Sequence, residues 1–392
     1  MGTTALRHLV RFGNGSDCKS VEAADGPYPV YGSGGEFARS TAYLHDGESV
    51  LFGRKGTVDR PLYVNGRFWT VDTMYYTVPG PRVEPRFLYY WATTIPFDLY
   101  STNTALPSMT SGTLGSLQFP LIGREQQRRI ADYLDRETAT IDALIEKQRA
   151  LLTLLIDRRA SVRKHLALRG PESRTSMVQA PEEWAGQIPS HWRFVPLLSV
   201  ARLGSGHTPS KSRPELWADT TIPWISLRDV GSMRATTYLY ETHTSISELG
   251  LASSSARILP AETVVLSRDA TIGRTAIMGR DMATSQHFAA WTCGPQLLPQ
   301  YLHLVLADAM QDHLESLTDG STLRTVGMGD IRALRVPLPP VHEQRRIIDA
   351  SETETAKIDA LIAKAERFIE LAQERRAALI TAAVTGQIEI PT

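Results

Sequence analysis

The sequence predicts an α+β protein. Two mixed α/β globular domains are joined by two long antiparallel coiled-coil helices, related by a pseudo-twofold internal duplication. Three observations carry this. The first is a gapless repeat: Pro120-Leu121, Gln127-Arg128-Arg129-Ile130 and Ile141-Asp142-Ala143-Leu144-Ile145 return 217 positions later as Pro337-Leu338, Gln344-Arg345-Arg346-Ile347 and Ile358-Asp359-Ala360-Leu361-Ile362. Arg158-Arg159-Ala160 returns in phase as Arg375-Arg376-Ala377. This period is far longer than a solenoid repeat, so a whole unit is duplicated. The second is a three-four apolar spacing through both repeats, the pattern of a coiled-coil seam. The third is the composition of the segments before the repeats, rich in Gly, Thr, Ser, Tyr and β-branched residues in short runs.

Taken in order, residues 1–118 form the first globular domain, with strand-like runs such as Glu48-Ser49-Val50-Leu51-Phe52. Segment 119–169 carries the first long helix, expected from about Arg124 to Leu168, with Ile130, Leu134, Ile141, Leu144, Leu151 and Leu155 on its seam. Residues 170–183 read as a linker with two prolines. Residues 184–336 form the second globular domain, with Thr263-Val264-Val265-Leu266 as one strand. Segment 337–392 carries the second long helix, from about His342 to Val384, and a C-terminal tail. Its seam holds Ile347, Ile358, Leu361 and Phe368. Pro339-Pro340 blocks an earlier start, and Gly386 is a natural stop. Each helix should span about 60 Å. A single apolar stripe on so long a helix needs a partner. The other copy, packed antiparallel, is the expected one; trimeric or intermolecular pairing is the alternative.

The globular domains also share a frame. Arg11-Phe12-Gly13-Asn14-Gly15 aligns with Arg202-Leu203-Gly204-Ser205-Gly206, and Leu51-Phe52-Gly53-Arg54-Lys55-Gly56 with Val265-Leu266-Ser267-Arg268-Asp269-Ala270. Thr104-Ala105-Leu106 aligns with Ser321-Thr322-Leu323. The spacing agrees while most side chains differ, as in two readers of different targets on one scaffold. The C-terminal Gly386-Gln387-Ile388 resembles Gly186-Gln187-Ile188, the approach to the second domain. The first domain lacks such an approach, so the tail is expected to supply it.

Composition narrows the function. Lys plus Arg and Asp plus Glu are both 42, for a net charge of +0. An unaided DNA-binding protein is usually basic. Only segment 119–169 is clearly positive, with 11 basic and 7 acidic residues. Nucleic acid would therefore be held through local patches or with a basic partner. Cys18 and Cys293 are the only cysteines, too few for a disulfide framework or a cysteine-rich metal site. No apolar run is long enough to span a membrane and no signal peptide is evident, so a cytoplasmic location is expected.

Catalytic motifs fail on inspection. Gly15-Ser16-Asp17-Cys18-Lys19-Ser20 has the wrong spacing for a phosphate loop, with cysteine where glycine must precede lysine. No dinucleotide fingerprint is present, and the 10 histidines are not clustered like metal ligands. No catalytic residue, metal site or cofactor is assigned. The candidates for DNA contact are cationic or small residues in loops. In the first domain they are Ser33 and Gly34 in a glycine-rich turn, and Arg54 and Lys55 after a strand. In the second they are Lys211, Arg213, Arg228, Arg268, Arg274, Arg324 and Thr325. Arg268 repeats Arg54 and is expected to play a shared role, whereas Asp269 replaces Lys55 and implies a different contact. For each, a solvated surface turn is the competing reading.

These residues resemble the specificity subunit of type I restriction-modification systems, over essentially the whole chain. The likeness lies in Pro337-Leu338-Pro339-Pro340 followed by Glu343-Gln344 and Ile347, and in Ile358-Asp359. It extends to Pro29-Val30-Tyr31-Gly32-Ser33-Gly34-Gly35, Gly53-Arg54-Lys55-Gly56, Val71-Asp72-Thr73-Met74-Tyr75-Tyr76, Thr104-Ala105-Leu106-Pro107-Ser108 and Ile188-Pro189-Ser190-His191-Trp192. The first copy departs at its helix start, with Ile122-Gly123 in place of Pro-Pro. The resemblance implies two target recognition domains, each reading half of a bipartite site in double-stranded DNA. It implies helices that fix the spacer, and partner subunits for catalysis: two modification methyltransferase subunits and the restriction (motor-nuclease) subunits. The rival is a non-catalytic scaffold that binds protein or RNA through its domains and helical rod.

Overall fold

The computed structural model describes residues 2–101, 107–172, 175–319 and 324–390. The segments expected to match at 104–106 and 321–323 lie outside these residues, as do two linker positions, 173 and 174. The chain divides into two compact units, Met1–Leu151 with Ala365–Thr392, and Leu152–Lys364. The long helices run over Arg124–Arg169 and Val341–Thr385, so each lends one part to each unit. Both stop at a glycine with positive φ, Gly170 at 71° and Gly386 at 74°, the left-handed geometry that ends a helix without strain. No helix of the described residues is long and apolar enough to cross a membrane.

In the first unit, strands Val10–Asn14, Met74–Pro79, Ser49–Gly53 and Leu62–Val64 form an antiparallel sheet in that order. Every residue of Ser49–Gly53 is buried, which explains its continuous rather than alternating apolar run. A second sheet has the order Gly35–Ser40, Tyr28–Gly32, Arg67–Thr70 and His45–Asp46, its middle two strands parallel. The core gathers Phe87, Trp91, Leu114 and Phe119 around Ile130 and Leu134 of the first helix and Ile380, Ala383 and Val384 of the second. The start of one helix therefore lies on the end of the other, as antiparallel packing requires. Ile388 of the C-terminal tail packs on this same core, as Ile188 does in the core of the second unit.

The second unit repeats the plan. Ala201–Ser205, Phe288–Cys293, Val264–Ser267, Thr275–Met278 and Tyr238–Leu239 form a five-stranded sheet. Ser245–Ile246, Ile222–Ile225 and Ala283–Thr284 form a smaller one, its last two strands parallel. Leu166, Ala167 and Leu168 of the first helix meet Ile347 of the second in the core beside Trp291 and Tyr301. Here the end of the first helix lies on the start of the second.

Two features show how closely the halves repeat. In the first unit Arg376 pairs with Asp142 at 2.8 Å, and in the second Arg159 pairs with Asp359 at 3.1 Å. The offset of 217 turns one pair into the other. The repeated glutamine is a three-bond clamp in each unit. Gln127 Oε1 accepts from Glu84 N at 2.9 Å, while Nε2 donates to Arg82 O and Ile122 O at 3.0 and 2.9 Å. Gln344 Oε1 accepts from Leu298 N at 2.8 Å, and Nε2 donates to Gln296 O and Pro339 O at 2.8 and 2.9 Å. Both side chains are buried and tie their helix to the domain beside it. A buried amide that meets three backbone groups leaves none of them unpaired.

The seam differs from expectation at four positions. Ile130, Leu134, Ile141, Ile347 and Ile358 are buried, and Leu155 is half-buried. Leu144, Leu151, Leu361 and Phe368 are instead 43%, 41%, 49% and 40% exposed. The true seam passes through Thr138 and then Ile145 in the first helix, and through Ser351, Thr355 and Ala365 in the second. Thr138 is buried because its hydroxyl donates to Leu134 O at 2.6 Å and meets Tyr90 Oη at 3.2 Å. A reading that follows only large apolar residues steps over such a position and lands one residue off afterwards.

Candidate DNA interface

The aligned turns after Ser49–Gly53 and Val264–Ser267 have one backbone design. Arg54 N donates to Thr73 O at 2.7 Å, Met109 N to Arg54 O at 3.0 Å, and Gly56 N to Pro107 O at 3.0 Å. In the second domain Arg268 N donates to His287 O at 3.0 Å, Val326 N to Arg268 O at 2.9 Å, and Ala270 N to Arg324 O at 3.1 Å. Lys55 bridges Ser108 as Asp269 bridges Thr325. Gly56 has φ 85° and Ala270 φ 62°, so the second domain holds an alanine in a region that costs an L-residue roughly 1–2 kcal/mol.

The side chains on this shared backbone do opposite things. In the first domain Arg54 and Lys55 are exposed, and the Arg54 guanidinium lies 5.8 Å from the centre of the Tyr75 ring. Ser33 and Gly34 form the turn between Tyr28–Gly32 and Gly35–Ser40, and a Cβ on Gly56 would sit 3.2 Å from Ser33 Oγ. Space around Gly34 is open to 4 Å. The four expected residues of this domain thus fall on two turns, with Ser33 against Gly56.

In the second domain Asp269 is 6% exposed and fully engaged. His287 Nδ1 lies 2.6 Å from Asp269 Oδ2, and Thr325 Oγ1 donates to Asp269 Oδ1. Arg268 Nε donates to Gln286 O at 3.1 Å, and Nη1 to Val326 O at 3.0 Å. Arg268, expected to share a role with Arg54, is thus engaged by backbone carbonyls where Arg54 lies beside a ring. Its Nε and Nη1 hold two loops together. Thr325 is likewise turned inward.

The remaining candidates separate. Arg213 is paired with Glu215 at 2.7 Å, and the Arg324 guanidinium donates to Thr318 Oγ1 at 3.1 and 3.3 Å. Arg274 lines a cleft of about 260 Å³ with Arg159, Arg163 and Asp308 beside the first helix. Lys211 and Arg228 are brought together instead on a larger cavity of about 740 Å³, shared with Trp217, Trp224, Ser285 and His287. Sequence reasoning missed these last four. A signal was available for Trp224. In the first domain Trp69 Nε1 donates to Ser16 O at 2.9 Å, and in the second Trp224 Nε1 donates to His207 O at 3.1 Å. Ser16 and His207 both follow the aligned Gly-x-Gly, and Trp69 and Trp224 stand on neighbouring parallel strands, opposite Val30 and Ala283. The indole has changed strand and kept its bond.

Two domains that share a turn design and differ in loop chemistry, each packed on paired helices, define a duplicated two-domain protein. The chain belongs to the type I restriction modification DNA specificity domain family, whose model matches residues 9–154 and 189–366. It is 28% identical over 163 residues to the type I restriction enzyme MjaIX specificity subunit of Methanocaldococcus jannaschii, covering 41% of this chain and 37% of that protein. It is 20% identical over 300 residues to the EcoR124I/EcoR124II specificity subunit of Escherichia coli, covering 74% and 68%. The fold is similar to a chain solved in work on complex assembly and conformational transition of the type I R-M system, with TM-score 0.66, 16% identity and coverage of 97% and 98%. It is also similar to the HsdS subunit of Thermoanaerobacter tengcongensis, with TM-score 0.52, 17% identity and coverage of 98% and 97%.

Proposed function

We propose that this chain is the non-catalytic DNA-recognition subunit of a cytoplasmic type I restriction-modification complex. Each recognition domain reads one half of a bipartite site, and the paired helices set the gap between the halves. The observation that carries this reading is the aligned turn, the same in backbone bonds and opposite in side-chain use. The first half-site is contacted by Ser33, Gly34, Arg54 and Lys55, the second by Lys211 and Arg228. Each bidentate contact to a base edge supplies about 1–3 kcal/mol of discrimination. Leu144, Leu151 and Phe368 leave apolar surface on the helices in the first unit, as Leu361 does in the second. We assign that surface to the two modification methyltransferase subunits. These carry the methyl donor, and the restriction subunits supply cleavage.

The test is the adenine methylation map of the source cells with and without the gene. Loss of one split motif, two short halves around a fixed gap, supports the reading. An unchanged map in cells whose other methylation is intact contradicts it. Inserting two heptads into both helices should lengthen the gap and leave the halves unchanged.

A further inference from the structure

The cavity of about 740 Å³ in the second domain falls within the roughly 300–1,000 Å³ typical of small-ligand sites. At the matching place in the first domain a Cβ on Gly32 would lie 3.2 Å from the Phe37 ring and 3.7 Å from Val71, so an aromatic side chain stands against that backbone. The equivalents of Gly32 and Val71 are Ser226 and Ser285, aligned by the bonds Val71 N to Tyr31 O at 3.1 Å and Ser285 N to Ile225 O at 2.8 Å.

We propose that this cavity takes a single nucleotide whose base has left the helical stack. Trp217 and Trp224 stand edge to face, with ring centres 5.4 Å apart and planes at 79°. Each indole N–H is already used, Trp217 on Ser210 O and Trp224 on His207 O, both at 3.1 Å. Trp217 is half-buried and offers aromatic surface, backed by the buried Trp224, and such surface suits any base because every base has a π-face. Lys211 and Arg228 are exposed on the rim and make no ion pair with a described residue, so both are free for a phosphate. Polar groups line the wall. The Ser285 hydroxyl is buried with no partner, and the ring of His287 is fixed by its Nδ1 contact to Asp269. A buried hydroxyl without a partner is costly unless something fills the need. A base stacked in a duplex presents only its edge in a groove, and does not enter a cavity walled by two indoles. A base rotated out of the stack does.

This inference rests on the DNA reading proposed above, and the experiment separates the two. The chain, in complex with its modification subunits, is tested on duplexes whose second half-site carries one mismatch at each position in turn. At one position the mismatch should tighten binding by about tenfold, because the cost of unpairing is already met. Trp217→Ala should abolish that gain. A base lifted by the methyltransferase subunits keeps its gain in Trp217→Ala. Deoxynucleoside monophosphates are titrated in parallel against tryptophan fluorescence without DNA. Saturable quenching by them, lost in Trp217→Ala, supports the pocket and names a free nucleotide as its occupant. No sensitive position and no quenching, or a gain that survives Trp217→Ala without quenching, overturns the pocket. If wild type ignores the split site altogether, the DNA reading itself fails.

Discussion

The two globular domains hold the same turn with the same backbone bonds, yet Lys55 stands in solvent while Asp269 is buried under His287 and Thr325. The difference teaches how a duplicated frame diverges. Groups that close the frame, such as Gln127 and Gln344, keep both identity and geometry. Groups at the tips of the loops trade a free cation for an internal network. In the first domain the turn itself is available for contact. In the second the turn is braced, and available charge moves to Lys211 and Arg228 beside a cavity.

The largest expected effect tests sameness. Gln127→Ala and Gln344→Ala each leave three backbone groups without partners, and each unpaired buried group costs about 1–3 kcal/mol. Both variants should lose about 3–5 kcal/mol in urea unfolding, by equal amounts. A large inequality would mean that the clamp is used differently in the two units.

The next effect separates the halves. Burial, aided by the nearby Arg163, lowers the pKa of His303 from 6.5 to about 4, whereas the matching residue of the first domain, counted from the clamp partners Glu84 and Leu298, is Tyr89. Because the folded form resists protonation, the neutral ring favours folding above pH 6.5. That advantage is lost as pH falls toward 4, by about 3 kcal/mol in all. Hydrogen exchange should show the second unit loosening over this window, and His303→Gln should flatten the response.

Asp269→Ala should cost about 2–3 kcal/mol, since it strands His287 and Thr325, and should weaken recognition of the second half-site alone. Lys55→Ala should change stability by less than about 0.5 kcal/mol and weaken only the first half-site. The exposed pairs Asp142–Arg376 and Arg159–Asp359 are weak as well. Removing either should cost under about 1 kcal/mol and fade as salt rises.

Much of this was legible in the sequence. The duplication and both helix spans follow from an offset of 217 and from apolar spacing, and the shared domain frame from matched short motifs, because those features are local or repeated. The seam was partly misread, since Thr138, Ser351 and Thr355 are buried polar residues that spacing by large apolar residues passes over. The site was less legible. Whether Arg268 faces DNA depends on Gln286 and Val326, which lie 18 and 58 positions away. The cavity is built from four separate segments, at positions 208–217, 224–228, 244 and 285–287, and no linear pattern marks their meeting.

The most direct measurement uses the assembled complex and a panel of split-site duplexes with single base changes in either half. Wild type, Lys55→Ala and Lys211→Ala are compared. The account predicts that Lys55→Ala alters affinity through the first half alone and Lys211→Ala through the second alone, with the required gap unchanged. Equal losses across both halves in either variant would contradict the claim that one duplicated frame carries two independent readers.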